Sequence, residues 1–347
     1  MPVNVRSTDL PTLQDVADAA KVSTATVSRC LNNPEQVTTG TRERVLDTIS
    51  RLGYSPNFGA RALAAKRTNT FGAIIPTMDN AIFARGLQAF QRALEKEHAT
   101  MIVASSSYDP DIEFDQIRNL VARGADGLFL IGNDRDPEIY EFLARRDIPA
   151  VLAWTVSSDP ELASVGFNNL EASRTLALEA LNLGHKRIGF ISAHTAHNDR
   201  ARDRVRGARK AMEELGLDPE TLHLEETNYS IECGFEAFNR LMAVDKEITL
   251  VMCGNDVLAV GALQAARHAD ILIPEDVSVT GFDDIELARV VTPALTTVHV
   301  PHRQMGRLAA ELLLEERKGE ASSRHIVLDT NVVLRESLAP PKSKDKR

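Results

Sequence analysis

Little in this chain is equipped for covalent chemistry. Its 347 residues include three cysteines, Cys30, Cys233 and Cys253. They are too few for a disulfide framework and lack metal-site spacing, so they read as buried or incidental thiols of a reducing cytoplasm. There is one tryptophan, Trp154, and aromatic residues make up only 5% of the chain. No apolar run approaches the roughly 20 residues of a membrane helix. Met1 to Asp9 lacks the hydrophobic stretch of a secretory signal. Both absences point to a cytoplasmic protein with no membrane partner. Nothing resembles a Gly-Lys-Ser/Thr phosphate loop. Asp283 and Asp284 are adjacent, so in a strand they would face opposite ways, which argues against shared acid–base work. His185, His194 and His197 gather near one strand end, but no acid or cysteine completes a metal set. The expectation is no catalytic residue, no metal and no cofactor.

Charge is unevenly spread. Residues 1–67 hold nine basic and six acidic residues, while residues 68–347 hold 31 basic and 43 acidic. A basic head on an acidic body suits nucleic-acid binding at one end only. The length is ample for a sizeable core beside a small domain.

The head reads as three short helices. Thr12 is a good N-cap for the first, with Asp15 in its first turn and Val16, Ala17 and Ala20 on one face. Ser23 can cap the second, where Val27 and Leu31 face inward and Thr24, Ala25, Ser28 and Arg29 outward. Thr39 or Thr41 can cap the third, which carries an inward stripe of Val45, Ile49 and Leu52 and stops at Gly53. Pro56 then biases Ser55 away from helix. Asn57 to Ala65 form a further helix too short to be stable alone in water.

From Thr68 onward, strands and helices alternate. Strand candidates are residues 71–76, 100–104, 127–131, 150–154, 187–192, 249–253 and 277–282, with helices at 83–98, 112–123, 169–184, 201–216 and 256–268. This alternation predicts parallel sheets with helices on both faces. Two sheets of five or six strands, divided near Ser164–Asn168, fit better than one. A strand at Thr296–Val300, a helix with Met305, Leu308, Leu312 and Leu313 on one face, and a strand at His325–Leu334 complete the chain. The charged, proline-led end reads as disordered.

One combination is highly specific: Asp15-Val16-Ala17, Val22-Ser23, Thr26-Val27-Ser28-Arg29, Leu31-Asn32, Thr41-Arg42, Leu52-Gly53-Tyr54, Pro56-Asn57 and Ala60-Arg61-Ala62-Leu63. With it the chain resembles the lactose-repressor/galactose-repressor family of bacterial transcription regulators, in pieces to about residue 335. The resemblance implies a ligand-responsive regulator, most often a repressor of carbohydrate-utilisation genes. Its partners would be operator DNA, a sugar or sugar-acid effector and a second copy of the chain in a homodimer. A purine-type or phosphosugar co-repressor is the alternative, and the sign of control stays open. A sugar-binding protein without a regulatory role is disfavoured by the DNA-binding head.

The implied architecture is a helix-turn-helix head (1–54), a hinge segment (55–68), a two-lobed α/β core similar to periplasmic binding proteins (69–335) and a tail (336–347). The N-lobe would take residues 69–165 and 299–320, and the C-lobe residues 166–298 and 321–335. DNA-contacting positions would be Thr12, Ser23, Thr24, Ala25, Thr26, Ser28, Arg29, Asn32 and Tyr54 of the head, with Asn57, Ala60, Arg61 and Leu63 of the hinge. Leu63 matches a leucine wedged into the minor groove, a device that trades a few kcal/mol of unstacking for a kinked duplex. Lys21 departs from the family, which often has Gly or a small residue in that turn. A lysine forced to positive φ costs roughly 1 kcal/mol, unless it repays this by reaching a phosphate.

For the effector, the resemblance points to Phe83, Trp154, Arg202, Tyr229, Asn255 and Asp283. Arg202 ranks above Arg204 as the guanidinium fork. Asn255, at a strand end, can both donate to and accept from sugar hydroxyls, whereas Asp256 reads as a helix cap. Aromatic faces cover the C–H patches of a sugar. Trp154 falls near a position where relatives often carry an acid. Asp284 reads as structural.

Overall fold

A computed structural model describes residues 11–55, 67–79, 81–320 and 324–342. These divide into two units between Thr68 and Asn69. In the head, α1 (Leu13–Ala20), α2 (Thr24–Asn32) and α3 (Thr39–Leu52) enclose Val16, Ala17, Ala20, Val27, Cys30 and Val45. Thr12 and Asp15 form a reciprocal capping box: the Thr12 hydroxyl accepts from the Asp15 amide, and the Asp15 carboxylate accepts from the Thr12 amide at 2.7 Å. Lys21 does adopt the left-handed conformation (φ 53°), and its amide closes onto the Ala17 and Asp18 carbonyls. Ser23 caps α2. The third cap differs from expectation. Thr38 precedes α3, and its hydroxyl bonds Thr41 Oγ1 rather than a helix amide. Gly53 ends α3 at φ 64°. Arg44 reaches across to the Ala20 carbonyl at 3.1 Å, which ties α3 to the turn.

The core unit is built on two parallel sheets. The first contains β1 (Thr70–Ile75), β2 (Thr100–Ser105), β3 (Leu128–Ile131), β4 (Ala150–Ala153), β5 (Ala163–Gly166) and β11 (His325–Val327), in the order β11-β5-β4-β3-β1-β2. The second contains β6 (Ile188–Ala193), β7 (His223–Thr227), β8 (Leu250–Cys253) and β9 (Ser278–Thr280), in the order β7-β6-β8-β9. Central strands such as β1, β3 and β8 are buried at every residue, as parallel strands covered on both faces must be. The second sheet thus has four strands where five or six were expected. Single bridges at Thr280–Thr296 and Asp283–His299 continue it toward an antiparallel pair, β10 (Thr297–His299) and β12 (Asn331–Val333). The strand expected over 325–334 is split: β11 pairs with β5 in the N-lobe sheet, and only β12 lies with the second. The last crossing between lobes therefore falls near residues 328–331, not at 321.

Helices flank both sheets. Within the N-lobe, α4 (Ala81–Lys96), α5 (Pro110–Ala122), α6 (Pro137–Ala144) and α12 (His302–Lys318) cover the first sheet. Within the C-lobe, α7 (Asn169–Asn182), α8 (Asp199–Glu214), α9 (Ile231–Val244) and α10 (Asp256–His268) cover the second, and a short α11 (Leu287–Val290) follows β9. Helices α4 and α12 meet backbone to backbone. A Cβ on Gly306 would stand 2.0 Å from the Gly86 carbonyl oxygen, and one on Gly86 would stand 2.4 Å from the Trp154 ring. These two glycines let the indole and both helices share one layer.

The tail corrects another expectation. Residues 336–342 dock on the C-lobe instead of trailing away. Ser337 is fully buried, donates its hydroxyl to the Val279 carbonyl at 2.6 Å and accepts from the Thr296 amide at 2.9 Å. The Ala339 carbonyl contacts His185 Nε2 and accepts from the Ser278 hydroxyl, and Lys342 pairs with Asp276. Ser337→Ala should cost about 1–3 kcal/mol, because it strands the Thr296 amide and the Val279 carbonyl in the interior. Urea unfolding would read this directly, and a loss within about 0.5 kcal/mol would mean that the tail contributes no stability.

Candidate functional site

The carboxyl ends of strands from both sheets meet at one cleft between the lobes, where open α/β sheets place their ligands. The loops there bring together Ile82, Phe83, Tyr108, Trp154, Asn198, Arg200, Arg204, Tyr229, Asn255 and Asp283 around an inner cavity. Tyr108 follows β2, Trp154 follows β4, Asn198 and Arg200 follow β6, Tyr229 follows β7, Asn255 follows β8 and Asp283 follows β9. Five of the six residues expected at the effector are therefore in one place.

The N-lobe side is aromatic. Phe83 stands edge-on to Trp154 at 5.4 Å between centroids, and Tyr108 leans on Tyr229 of the C-lobe at 5.8 Å. Trp154 sits in the left-handed region (φ 61°) immediately after its strand and is fully buried. Three contacts over-determine that conformation. Its amide faces Met305 Sδ at 3.2 Å, its carbonyl accepts from Asn169 Nδ2 at 2.8 Å, and its indole N–H donates to His302 Nδ1 at 3.1 Å.

The C-lobe side is polar. Arg204 is 3% exposed and lies over the Phe282 ring at 3.9 Å. Its Nε donates to Asn169 Oδ1 at 3.0 Å, and one terminal nitrogen donates to the Gly254 carbonyl at 2.6 Å. The other terminal nitrogen lies 3.8 Å from Asp283 Oδ1, beyond hydrogen-bond range. Asp283 is 1% exposed, has φ 106°, and neither carboxylate oxygen has a hydrogen-bond partner among the described residues. Burial pushes its pKa up to about 7 against the attraction of Arg204 and Arg85. Two buried acceptors facing a cavity are an arrangement that a donor-bearing ligand completes.

Arg202 is the one expected effector residue that lies elsewhere. Its side chain is 42% exposed and pairs with Asp134 at 2.8 Å. The reason is helical: Arg200 and Arg204 are four residues apart on one face of α8, and Arg202 projects away between them. Arg204 takes the place assigned to Arg202, and Arg200 joins it, its guanidinium on Asp199 at 2.7 Å. Asp199 in turn accepts from the Asn133 amide of the N-lobe at 2.9 Å. Burial works against the Asp199 carboxylate, but Arg200 and that amide hold its pKa below the usual value.

Asn255 stands at the cavity as expected and also takes the capping role expected of Asp256. Asn255 lines the cavity and is also the N-cap of α10, accepting from the Leu258 amide at 2.9 Å. Asp256 is fully buried behind it, accepting from Thr297 Oγ1 at 2.6 Å and from the Ile285 amide at 2.8 Å. Asp284 is structural as expected: Arg289, Arg335 and His299 all converge on it. Tyr108, Asn198, Arg200 and His302 were not singled out from the sequence. The three histidines do not assemble, since His185 binds the tail while His194 and His197 lie at the cleft mouth. Among the described residues no group of His, Cys, Asp or Glu can hold a metal ion, and no helix is long and apolar enough to cross a membrane.

In the head, α2 presents Ala25, Arg29 and Asn32 to solvent, with Thr24, Thr26 and Ser28 half-buried. Asn32 donates to Ser28 Oγ at 3.2 Å, and the Ser23 and Thr26 hydroxyls share a bond of 2.9 Å. Thr12 and Ser23 are engaged as caps. Tyr54 packs half-buried on the head core. Asn57, Ala60, Arg61 and Leu63 lie outside the described residues.

Comparison with known proteins covers both units. Residues 12–57 match the family described as bacterial regulatory proteins, lacI family, and residues 178–338 match the periplasmic binding protein-like domain. Catabolite control protein A of Priestia megaterium is 32% identical over 316 residues, covering 91% of this chain and 95% of that protein. The HTH-type transcriptional regulator RegA of Clostridium saccharobutylicum is 33% identical over 328 residues, covering 94% and 98%. Among solved structures, a LacI-family transcriptional regulator from Silicibacter pomeroyi superposes with a TM-score of 0.85 at 28% identity, covering 95% of this chain and 99% of that one. A complex of the regulator CelR with cellobiose gives 0.69 at 27% identity, covering 94% and 99%.

Proposed function

The chain belongs to the LacI family of bacterial transcription regulators, and from that premise we propose that it is a repressor of carbohydrate-utilisation genes, controlled by a sugar or sugar-acid effector held between the two lobes of its core. The observation that carries this reading is the unpartnered, buried carboxylate of Asp283 beside Arg204 and opposite an aromatic wall. A pyranose-like ring would give hydroxyl protons to Asp283, accept from Arg204 and Arg200, and lay its C–H face on Trp154 and Phe83. All the charged recognition then comes from one lobe, and the other supplies shape. The same aromatic wall would also stack a purine whose ring N–H donates to Asp283, which is the second reading.

At the DNA, α2 is the recognition helix, with Thr24, Ala25 and Arg29 toward the major-groove floor. Two heads of a homodimer occupy a pseudo-palindromic operator, and the modest basic charge of one head is offset by effective concentration. Asn57, Ala60, Arg61 and Leu63 act as the hinge, with Leu63 as the minor-groove wedge. Effector binding shifts the lobes because it favours one of their arrangements over the other.

A thermal-shift panel of the full-length protein against neutral sugars, sugar acids, polyols and purines tests this reading. A ligand at about 100 times its Kd stabilises by ~2.7 kcal/mol, a rise of several degrees. A response to a sugar or sugar acid that disappears in Arg204→Ala supports the proposal. A response to purines alone selects the second reading, and silence across the panel overturns both.

A further inference from the structure

The two sides of the cavity are joined by a buried ring that takes no part in lining it. His302 opens α12, is 3% exposed and stacks on the Trp154 indole at 5.8 Å and 28° between planes. Its Nδ1 accepts from the indole N–H at 3.1 Å, so the ring's proton is on Nε2, which donates to the main-chain carbonyl of Asp283 at 3.2 Å. Helix α12 packs against α4 and the N-lobe strands, so His302 moves with Trp154. Asp283 belongs to the C-lobe, where its amide donates to the Val298 carbonyl at 2.9 Å. The Nε2 bond is therefore the point where the N-lobe indole meets the C-lobe residue carrying the free carboxylate. Asp283 has φ 106°, so the orientation of that carboxylate depends on how its own peptide is held.

We propose that His302 is a positioning residue: a neutral imidazole that couples Trp154 of the N-lobe to Asp283 of the C-lobe, so that the aromatic and ionic halves of the cavity are set as one unit. The ring suits the role because it accepts on one nitrogen and donates on the other. A protonated ring would turn a second N–H on the indole N–H and break the chain. Burial keeps it neutral, with its pKa pushed down to about 3, opposed by the Asp283 carbonyl and helped by Arg85 and Arg204. The proposal rests on the cleft being the effector site, but its test needs no effector.

Because the chain has a single tryptophan, an indole-labelled full-length protein shows one indole N–H resonance. In the wild-type background, Asp283→Asn should shift that resonance, and in a His302→Phe background the same substitution should leave it unmoved. His302→Phe alone should speed exchange of the indole proton about tenfold, as expected for the loss of one buried hydrogen bond. His302→Gln, whose amide can accept from the indole and donate to the Asp283 carbonyl, should restore the response to Asp283→Asn. A merely structural histidine would lower the melting temperature in both variants without this pattern. An equal shift in the wild-type and His302→Phe backgrounds, or no shift in the wild type, overturns the coupling. If His302→Phe does not fold, the glutamine variant decides alone: a retained shift supports the relay, and its loss sinks it. Failure of the effector panel would leave this result standing, so the two readings fail separately.

Discussion

Arg204→Ala is expected to cost about 3–5 kcal/mol at pH 8, because it breaks buried hydrogen bonds to Asn169 and Gly254 and removes the cation 3.8 Å from the buried Asp283 carboxylate. The loss should be smaller at pH 5. Asp283 already has a raised pKa in the folded protein, and removing Arg204 raises it further. Between pH 5 and pH 8 the folded variant then holds a proton that its unfolded chain does not. A state that binds the extra proton loses stability as pH rises, so the penalty grows toward alkaline pH and is least where Asp283 is protonated in both proteins. Urea unfolding at the two pH values measures it. Equal losses at both would assign the whole effect to the hydrogen bonds with Asn169 and Gly254 and to the Phe282 face, and would remove the ion pair from the account.

What the sequence made legible divides along the range of the interactions. The head could be read almost residue by residue, because capping at Thr12 and Ser23 and the left-handed stop at Gly53 are local. Strands buried on both faces announced themselves as apolar runs. Two strands escaped notice for physical reasons. Ala163–Gly166 is four small residues whose burial depends on β4 and β11, and His223–Thr227 is a sheet edge carrying Glu225 and Glu226. The tail misled because its composition is polar, whereas its order comes from buried partners such as Val279 and Thr296, roughly 40 to 60 residues away in sequence.

The site was legible to the same limit. Residues at strand ends were found because strand ends converge on the cleft. The resemblance points to Arg202, whereas the four-residue spacing of Arg200 and Arg204 puts those two on one face of the helix, so helical projection favours Arg204. Nothing local marks His302. It becomes a partner of Trp154 and Asp283 only because the chain crosses between lobes just before it, at β10. Asn255 shows a third kind of ambiguity: the same side chain caps a helix and faces the cavity, and residue type alone could not divide those roles between it and Asp256.

Asp283→Asn should stabilise the free protein while abolishing its response to the effector. The raised pKa is already net of the attraction from Arg204 and Arg85, so ionisation of this group opposes folding above the usual carboxylate range. A shift from 3.8 to about 7 corresponds to roughly 4 kcal/mol at most. A buried amide without partners takes back about 1–3 kcal/mol of that. The net gain should be ~1–3 kcal/mol at pH 8, or a rise of several degrees in Tm. The sign follows from proton uptake. Wild type loses stability as pH climbs from about 4 through 7, whereas asparagine does not titrate, so the advantage of the variant appears across that interval and levels off above it. Loss of the effector response has a separate origin. Asparagine offers one acceptor where the carboxylate offers two, and it turns an N–H toward a hydroxyl that the cavity meets with lone pairs. Melting curves from pH 4 to 8, with and without the responding compound, separate the two effects. A variant less stable than wild type at pH 8 would show that the carboxylate is held by the fold, not reserved for a ligand. A variant that is more stable yet still responsive would move the recognition of the effector away from Asp283.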